Sequence, residues 1–365
     1  MDKPRNDIYF TVGPAKLYPG VVAYATEAFE RNIPSISHRG EEFAGYYRGA
    51  ASKLRSLLGM PQDYEVFFLG SATEAMERIV ENCVEEKSAH VVHGAFSRRW
   101  EKMSYELGRK PEKAAVPEGH IPDLKNISFS SDVELICVTQ NETSTGGELR
   151  FADIADLHQR HPDALIGVDI VSSAPIAEVD WSAVDMVFFS VQKGFGLPSG
   201  LGVLFVGPRA MAKALSLSER MSIGSYHTFL ELKKYADQGQ APETPNILGI
   251  YLLDKVLADM EKIGVRALRK GVEQRAEKLY SFLEGSPFAP FIKEKDGWSR
   301  TTIAAEIPGG SARLIEHLKG KGFMLGTGYG ENAEHHVRIG NFPAHTDEEY
   351  NALISALAES ASALP

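Results

Sequence analysis

Six short apolar runs recur between residues 66 and 207: VFFL (66–69), HVVH (90–93), ELICVTQ (134–140), LIGVDI (165–170), MVFFS (186–190) and GVLFVG (202–207). Several lack the alternation of a strand with one wet face, which reads as strands covered on both sides. Helical patterns lie between them. In TEAMERIVENCVEE (73–86) Met76, Ile79, Val80, Cys83 and Val84 fall at helical spacing, and FADIADLHQRHPD (151–163) reads as a second crossover helix before LIGVDI. Doubly covered strands joined through helices predict an α/β fold with a mainly parallel sheet.

After residue 246 the pattern changes. NILGIYLLDKVLADMEKIG and VRALRKGVEQRAEKLYSFLEG both carry helical spacing, and the second is long enough to run from one domain into another. Further on, RTTIAAEIPG reads as a strand, SARLIEHLKGKG as a helix, HHVRIGN as a strand and TDEEYNALISALAESA as a closing helix. These elements predict a large domain over 16–255 and a smaller α+β domain over 256–365. Residues 1–15 are expected to pack with the smaller domain or along a neighbouring subunit.

At 365 residues the chain buries a large core without staples. Its net charge of -10, with both signs interspersed, argues against a nucleic-acid surface. The two cysteines, Cys83 and Cys137, fall in apolar periodic segments rather than in metal-ligand spacing, so core thiols and no metal are expected. MDKPRNDIYF carries no apolar signal segment, and no apolar run approaches a membrane span, so a soluble cytoplasmic protein with no membrane partner is expected.

Lys193 follows the run ending at Ser190 and precedes GFGLPSG, where Gly194, Gly196 and Gly200 remove side chains from its surroundings. A lysine crowded there loses hydration, so its amine is driven toward the neutral, nucleophilic form that makes a Schiff base with an aldehyde. The alternative is a turn lysine with its ammonium in water. Asp169 ends LIGVDI, in the zone where open parallel sheets hold ligands; the alternative is a carboxylate capping a turn. Gly70-Ser71-Ala72-Thr73 joins a strand to a helix, and free amides with two hydroxyls at a helix start suit a phosphate, although Ser before a helix is also an ordinary cap.

Together these segments resemble the fold-type-I pyridoxal-phosphate enzymes and, within them, the class V aminotransferases of the phosphoserine type. The pieces that carry the resemblance are TVGPAKLYP (11–19), SISHRGEEF (35–43), GSATEAM (70–76), QNETSTG (140–146), GVDIVSSAP (167–175), FFSVQKGFGLPSGLGVLFVG (188–207), APETPNILGIYLL (241–253) and VRIGN (337–341). The resemblance implies a mainly parallel seven-stranded sheet in the large domain, pyridoxal 5'-phosphate as cofactor, small amino-acid and 2-oxo-acid substrates, and a homodimer with shared sites. Lys193 would carry the cofactor and shuttle the proton, and Asp169 would face the ring nitrogen. Ser71, Ala72, Thr73 and Gln192 would contact the cofactor phosphate, Thr143 the ring oxygen, and Thr244 the phosphate of the neighbouring subunit. Phe96 would stack on the ring where the family usually has tryptophan, whereas Trp100 is assigned to packing. Arg338 would clamp the substrate carboxylate, and His38 and Arg39 would reach the partner's substrate.

The chain departs from the family pattern at three places. Glu243 stands where Asn usually precedes Thr244, the GSATEAM turn has no arginine before Arg78, and Glu331 and Asn332 replace a His-Arg pair. His335 and His336 are near, but adjacent strand residues face opposite ways. Each lost charge-assisted bond to a phosphate is worth roughly 1.5–3 kcal/mol. The expected reaction is transamination between L-phosphoserine and 2-oxoglutarate. The alternatives are an alanine- or serine-glyoxylate type of transfer, or a homologue without activity.

Overall fold

The structure is a computed structural model that describes residues 7–362, so expectations for 1–6 and 363–365 lie outside the described residues. In chain order the strands are β1 (Ile8–Phe10), β2 (Glu65–Leu69), β3 (Lys87–Val92), β4 (Lys110–Ala115), β5 (Leu135–Thr139), β6 (Asn141–Glu142) and β7 (Gly147–Glu148). They continue with β8 (Leu165–Asp169), β9 (Met186–Ser190), β10 (Gly202–Val206), β11 (Ala289–Pro290), β12 (Thr302–Glu306), β13 (Phe323–Thr327) and β14 (His336–Gly340). The helices are α1 (Val21–Glu30), α2 (Glu41–Leu58), α3 (Ala72–Cys83), α4 (Ala95–Glu106), α5 (Phe151–Arg160), α6 (Pro208–Ser218), α7 (Phe229–Ala236), α8 (Ile247–Ile263), α9 (Val265–Glu284), α10 (Ala312–Gly320) and α11 (Asp347–Ser362).

Seven strands form one sheet in the order β2-β10-β9-β8-β5-β3-β4, and only β10 runs antiparallel to its neighbours. Every residue of β5, β8, β9 and β10 is buried. The reason is visible in β9, where Val187 and Phe189 join the core under α2 and α8 while Met186 and Phe188 join the core under α3, α6 and α7. A strand with apolar residues at every position is stable only between two layers.

β4 was not among the six apolar runs. It is KPEKAA, an edge strand paired only with β3 and largely open to water, and charged residues there discourage further pairing. The α3 helix also stops short of the expected residue 86. The amides of Glu85, Glu86 and Lys87 all donate to the Glu134 carboxylate, at 3.1, 2.7 and 3.1 Å, which draws them out of the helical ladder. Likewise α5 ends at Arg160, ahead of Pro162, which disfavours helix in the residue before it.

A second sheet, ordered β1-β13-β14-β12-β11, packs with α9, α10 and α11 around a separate core containing Phe10, Ile303, Ile339 and Tyr350. β1 pairs in parallel with β13, so residues 8–10 belong to this sheet. The helices α8 and α9 meet at Gly264, and residues 255 and 256 lie within α8. No helix among the described residues is long and apolar enough to cross a membrane.

Candidate active site

Three parallel strands deliver the central residues. Asp169 is the last residue of β8, Lys193 lies three residues past the end of the adjacent β9, and Thr143 follows the short β6 that continues from β5. Their carboxyl ends lie on the side where a parallel sheet usually holds ligands. Lys193 is 6% exposed, and its Nζ donates to Thr143 Oγ1 at 2.6 Å. The glycines beside it have a different task from the one expected: a Cβ on Gly194 would lie 1.8 Å from the Ala174 carbonyl oxygen, so glycine there admits a close backbone approach. The residue that clears space for the lysine is Gly13, where a Cβ would meet Lys193 Cε at 2.8 Å.

Burial sets the charge balance of this pair. It pushes the Lys193 amine down to about 8, with Asp169 and Glu142 opposing and Arg338 assisting. It pushes the Asp169 carboxyl up to about 7, against the Val171 amide and Lys193. Val171 N donates to Asp169 Oδ1 at 2.8 Å, and no hydrogen bond to Oδ2 is present among the described residues.

The wall opposite comes from α4 and the smaller sheet. The Phe96 ring centroid lies 5.4 Å from Lys193 Nζ and 5.6 Å from the Tyr329 ring, and Arg338 sits 5.3 Å over Tyr329. Arg338 Nε donates to Thr327 O at 2.8 Å and NH1 to Thr143 O at 3.2 Å, which aims the guanidinium from β14 toward Thr143. Phe96 is held from beneath by Glu142, a fully buried carboxylate that accepts from Phe96 N at 3.2 Å, Ser97 N at 2.9 Å and Ser144 Oγ at 2.6 Å. Burial works to raise the Glu142 pKa; His93, Ser144 and these amides outweigh it, so the group stays below its usual value and charged. Trp100 is packing, as expected: it is 1% exposed, its Nε1 donates to Met76 O at 3.1 Å, and it lies edge-on to Phe188.

The turn into α3 is more occupied than an open phosphate cup. Ser71 Oγ caps the helix by accepting from Glu74 N at 3.1 Å, and Ala72 N donates to Ser190 Oγ at 2.9 Å, leaving Thr73 as the exposed hydroxyl. Gln192 is half-buried beside Lys193. Glu243 turns away into the protein, where its Oε2 meets His227 Nε2 at 2.7 Å.

Thr244 is exposed, on the loop between α7 and α8. Arg39 is pinned to that same loop, donating to Ala241 O at 2.6 Å and Pro242 O at 2.8 Å with its guanidinium 4.6 Å over Tyr235. Neighbouring His38 is half-buried, so the residues expected to serve a partner's site cluster together. Asn332 is committed to Glu118, 2.8 Å from its Oε2, and the same carboxylate takes Arg98 at 3.2 Å. Glu331 is exposed, while His336 is buried in β14 against Phe291.

Sequence reasoning passed over Gly13, Glu142, Tyr329, His227 and Arg99, whose guanidinium lies 5.3 Å over the Phe96 ring. Glu142 carried a signal, a carboxylate one residue before Thr143 in a loop leaving a buried strand. His227 carried none, because its two partners are 153 and 16 positions away. Cys83 and Cys137 are both buried, with their thiols pushed up by burial. No group of three His, Cys, Asp or Glu among the described residues is arranged to hold a metal.

A phosphoserine aminotransferase structure from Cytophaga hutchinsonii superposes with a TM-score of 0.96 at 42% identity, covering 97% of this chain and 99% of that one. The phosphoserine aminotransferase of Dichelobacter nodosus is 25% identical over 316 residues, 85% of this chain and 80% of the relative. An alanine-glyoxylate aminotransferase from Nostoc shares the fold with a TM-score of 0.85 at 22% identity, over 98% and 96% of the two chains. The class V aminotransferase model matches residues 8–338, and the chain belongs to that family.

Proposed function

We propose that the chain is a pyridoxal-phosphate-dependent aminotransferase exchanging an amino group between L-phosphoserine and 2-oxoglutarate. The observation that carries this reading is the buried Lys193 amine, bonded among the described residues only to the Thr143 hydroxyl and pushed down to about 8, beside a buried carboxylate on the next strand. The donor set suits the cofactor. Asp169, pushed up to about 7 with Oδ2 open, lacks the counter-charge that a pyridinium nitrogen brings. The half-buried Phe96 ring offers a stacking face.

When bound, pyridoxal phosphate supplies a carbon that takes the amino group and a ring that accepts electrons. Lys193 Nζ would take the substrate Cα proton and pass it to the cofactor carbon that keeps the nitrogen, and would carry it back the other way in the second half-reaction. Thr143 orients that amine. Asp169 holds a proton at the ring nitrogen, and Arg338 clamps the substrate carboxylate through its planar fork. Ser71, Ala72, Thr73 and Gln192 surround the phosphate end, with Thr244, His38 and Arg39 lent by the partner of a homodimer. Arg99, which forms no ion pair among the described residues, brings a cation to the edge of this site from α4.

The proposed protein is cytoplasmic and works in two parts divided at 255/256, with β1 joined to the second. The test is single-turnover transamination of the reconstituted protein with phosphoserine, serine, alanine and glutamate, followed by loss of the visible cofactor band. Rapid turnover of phosphoserine and glutamate is expected; turnover of none of the four refutes the reading. A second reading, transfer between alanine or serine and glyoxylate, is favoured by the commitment of Asn332 to Glu118, where the phosphoserine enzymes usually carry a cation. Activity with those substrates alone selects it.

A further inference from the structure

His227 lies in the segment entering α7 and is 2% exposed. Both of its ring nitrogens are engaged by carboxylates: Nδ1 by Glu74, and Nε2 by Glu243 at 2.7 Å. The other oxygen of Glu74 accepts Gly70 N at 2.8 Å. A continuous chain of bonds therefore runs from the turn that enters α3, through Glu74 and His227, to the loop bearing Glu243 and Thr244.

Two carboxylates on one imidazole require both ring nitrogens to carry hydrogens, since a neutral ring donates only once. The other charged groups nearby leave this arrangement intact. From α3, Arg78 is taken by Glu77 and Glu81, each at 2.7 Å. From its own segment, His227 meets the Tyr226 ring at 3.9 Å. The segment is anchored independently of the histidine, because Asn82 accepts Phe229 N at 2.9 Å and donates to Arg78 O at 2.8 Å. His227 is thus not needed to hold α7 in place.

We propose that His227 is a positioning residue which, as an imidazolium, ties the Gly70 turn to the 241–246 loop and so fixes where Thr244 is presented to a cofactor phosphate. This rests on the pyridoxal-phosphate reading above. It also accounts for Glu243, which serves as the loop's attachment point. Burial works to lower the His227 pKa, and the two carboxylates outweigh it, raising the group to about 9. The tie is therefore closed at neutral pH and opens as pH rises through that value.

The test uses pyridoxamine 5'-phosphate, which forms no covalent bond to Lys193, titrated into the full-length apoprotein between pH 6.5 and 10. Wild type, His227→Gln and Glu243→Gln are compared, so the titration of Lys193 is common to all three. Expected are at least tenfold weaker binding by His227→Gln at pH 7.5 and a wild-type affinity that falls through about pH 9. The part of that fall centred near pH 9 should be absent in His227→Gln, which keeps only the pH dependence shared by all three, and shifted to lower pH in Glu243→Gln. Thermal midpoints of the apoproteins separate a folding defect: a weakening that tracks a lowered midpoint with an unchanged pH profile overturns the proposal. So does binding by His227→Gln equal to wild type across the range. If wild type binds no pyridoxamine 5'-phosphate, the cofactor reading fails and this inference with it.

Discussion

Two ionisable clusters flank the carboxyl edge of the large sheet, each built on a buried group, and behave in opposite ways. Around Lys193 and Asp169, burial outruns bonding: the amine falls to about 8 and the carboxyl rises to about 7, so both are brought near neutrality. Around His227, bonding outruns burial, and the imidazole rises to about 9 between Glu74 and Glu243. The first cluster is under-bonded, with one hydroxyl on the amine and one amide on the carboxylate. The second has every ring nitrogen matched. Reactivity belongs to the under-bonded cluster and positioning to the saturated one, because a group already satisfied gains nothing by engaging a ligand.

The largest effect is expected at the reactive amine. Lys193→Ala should remove the visible band of the bound cofactor and reduce multiple turnover by about 10⁴-fold or more. Normal turnover in that variant would place the chemistry elsewhere. Asp169→Asn tests the other half of the pair, with a rate loss of about 100-fold. The same substitution should raise the thermal midpoint of the apoprotein at pH 8, since it removes a buried carboxylate whose charge burial opposes. A lowered midpoint would show that Asp169 is a structural acceptor.

A smaller effect separates the clusters through the pH dependence of apoprotein stability. With its folded pKa raised, His227 contributes stability that is complete below its unfolded value of about 6.5. That contribution is lost as pH rises through about 9, so His227→Gln should flatten a falling limb. Lys193 has the opposite sign. Between about 8 and its unfolded pKa the unfolded chain binds more protons, so stability rises with pH there, and Lys193→Met should flatten that limb. Denaturant titrations at closely spaced pH values read both slopes; equal slopes in all three proteins would erase the distinction between the clusters.

The legible parts of this molecule are those where one residue's neighbours along the chain report its surroundings. The runs at 165–170, 186–190 and 202–207 became β8, β9 and β10 because unbroken apolar residues have no place except between two layers. The edge strand β4 was silent, since water on one side permits KPEKAA. Lys193 and Asp169 stood at strand ends, and position relative to a strand is itself sequence information. The Phe96 anchor was half legible: Glu142 sits beside Thr143, but its bonds to the amides of Phe96 and Ser97 cross 46 and 45 positions.

Sequence by itself determined the α/β class, most of the strands of the large sheet, and a lysine and a carboxylate each placed at a strand end. All of these follow from local apolar periodicity and from residue type at a known place in it. The tertiary structure decided which backbone clears room for Lys193, that β1 joins the smaller sheet, and that Glu243 bonds His227 instead of facing outward. Those outcomes depend on distances between groups far apart along the chain. No local pattern encodes such distances, because packing sets them only when the layers close.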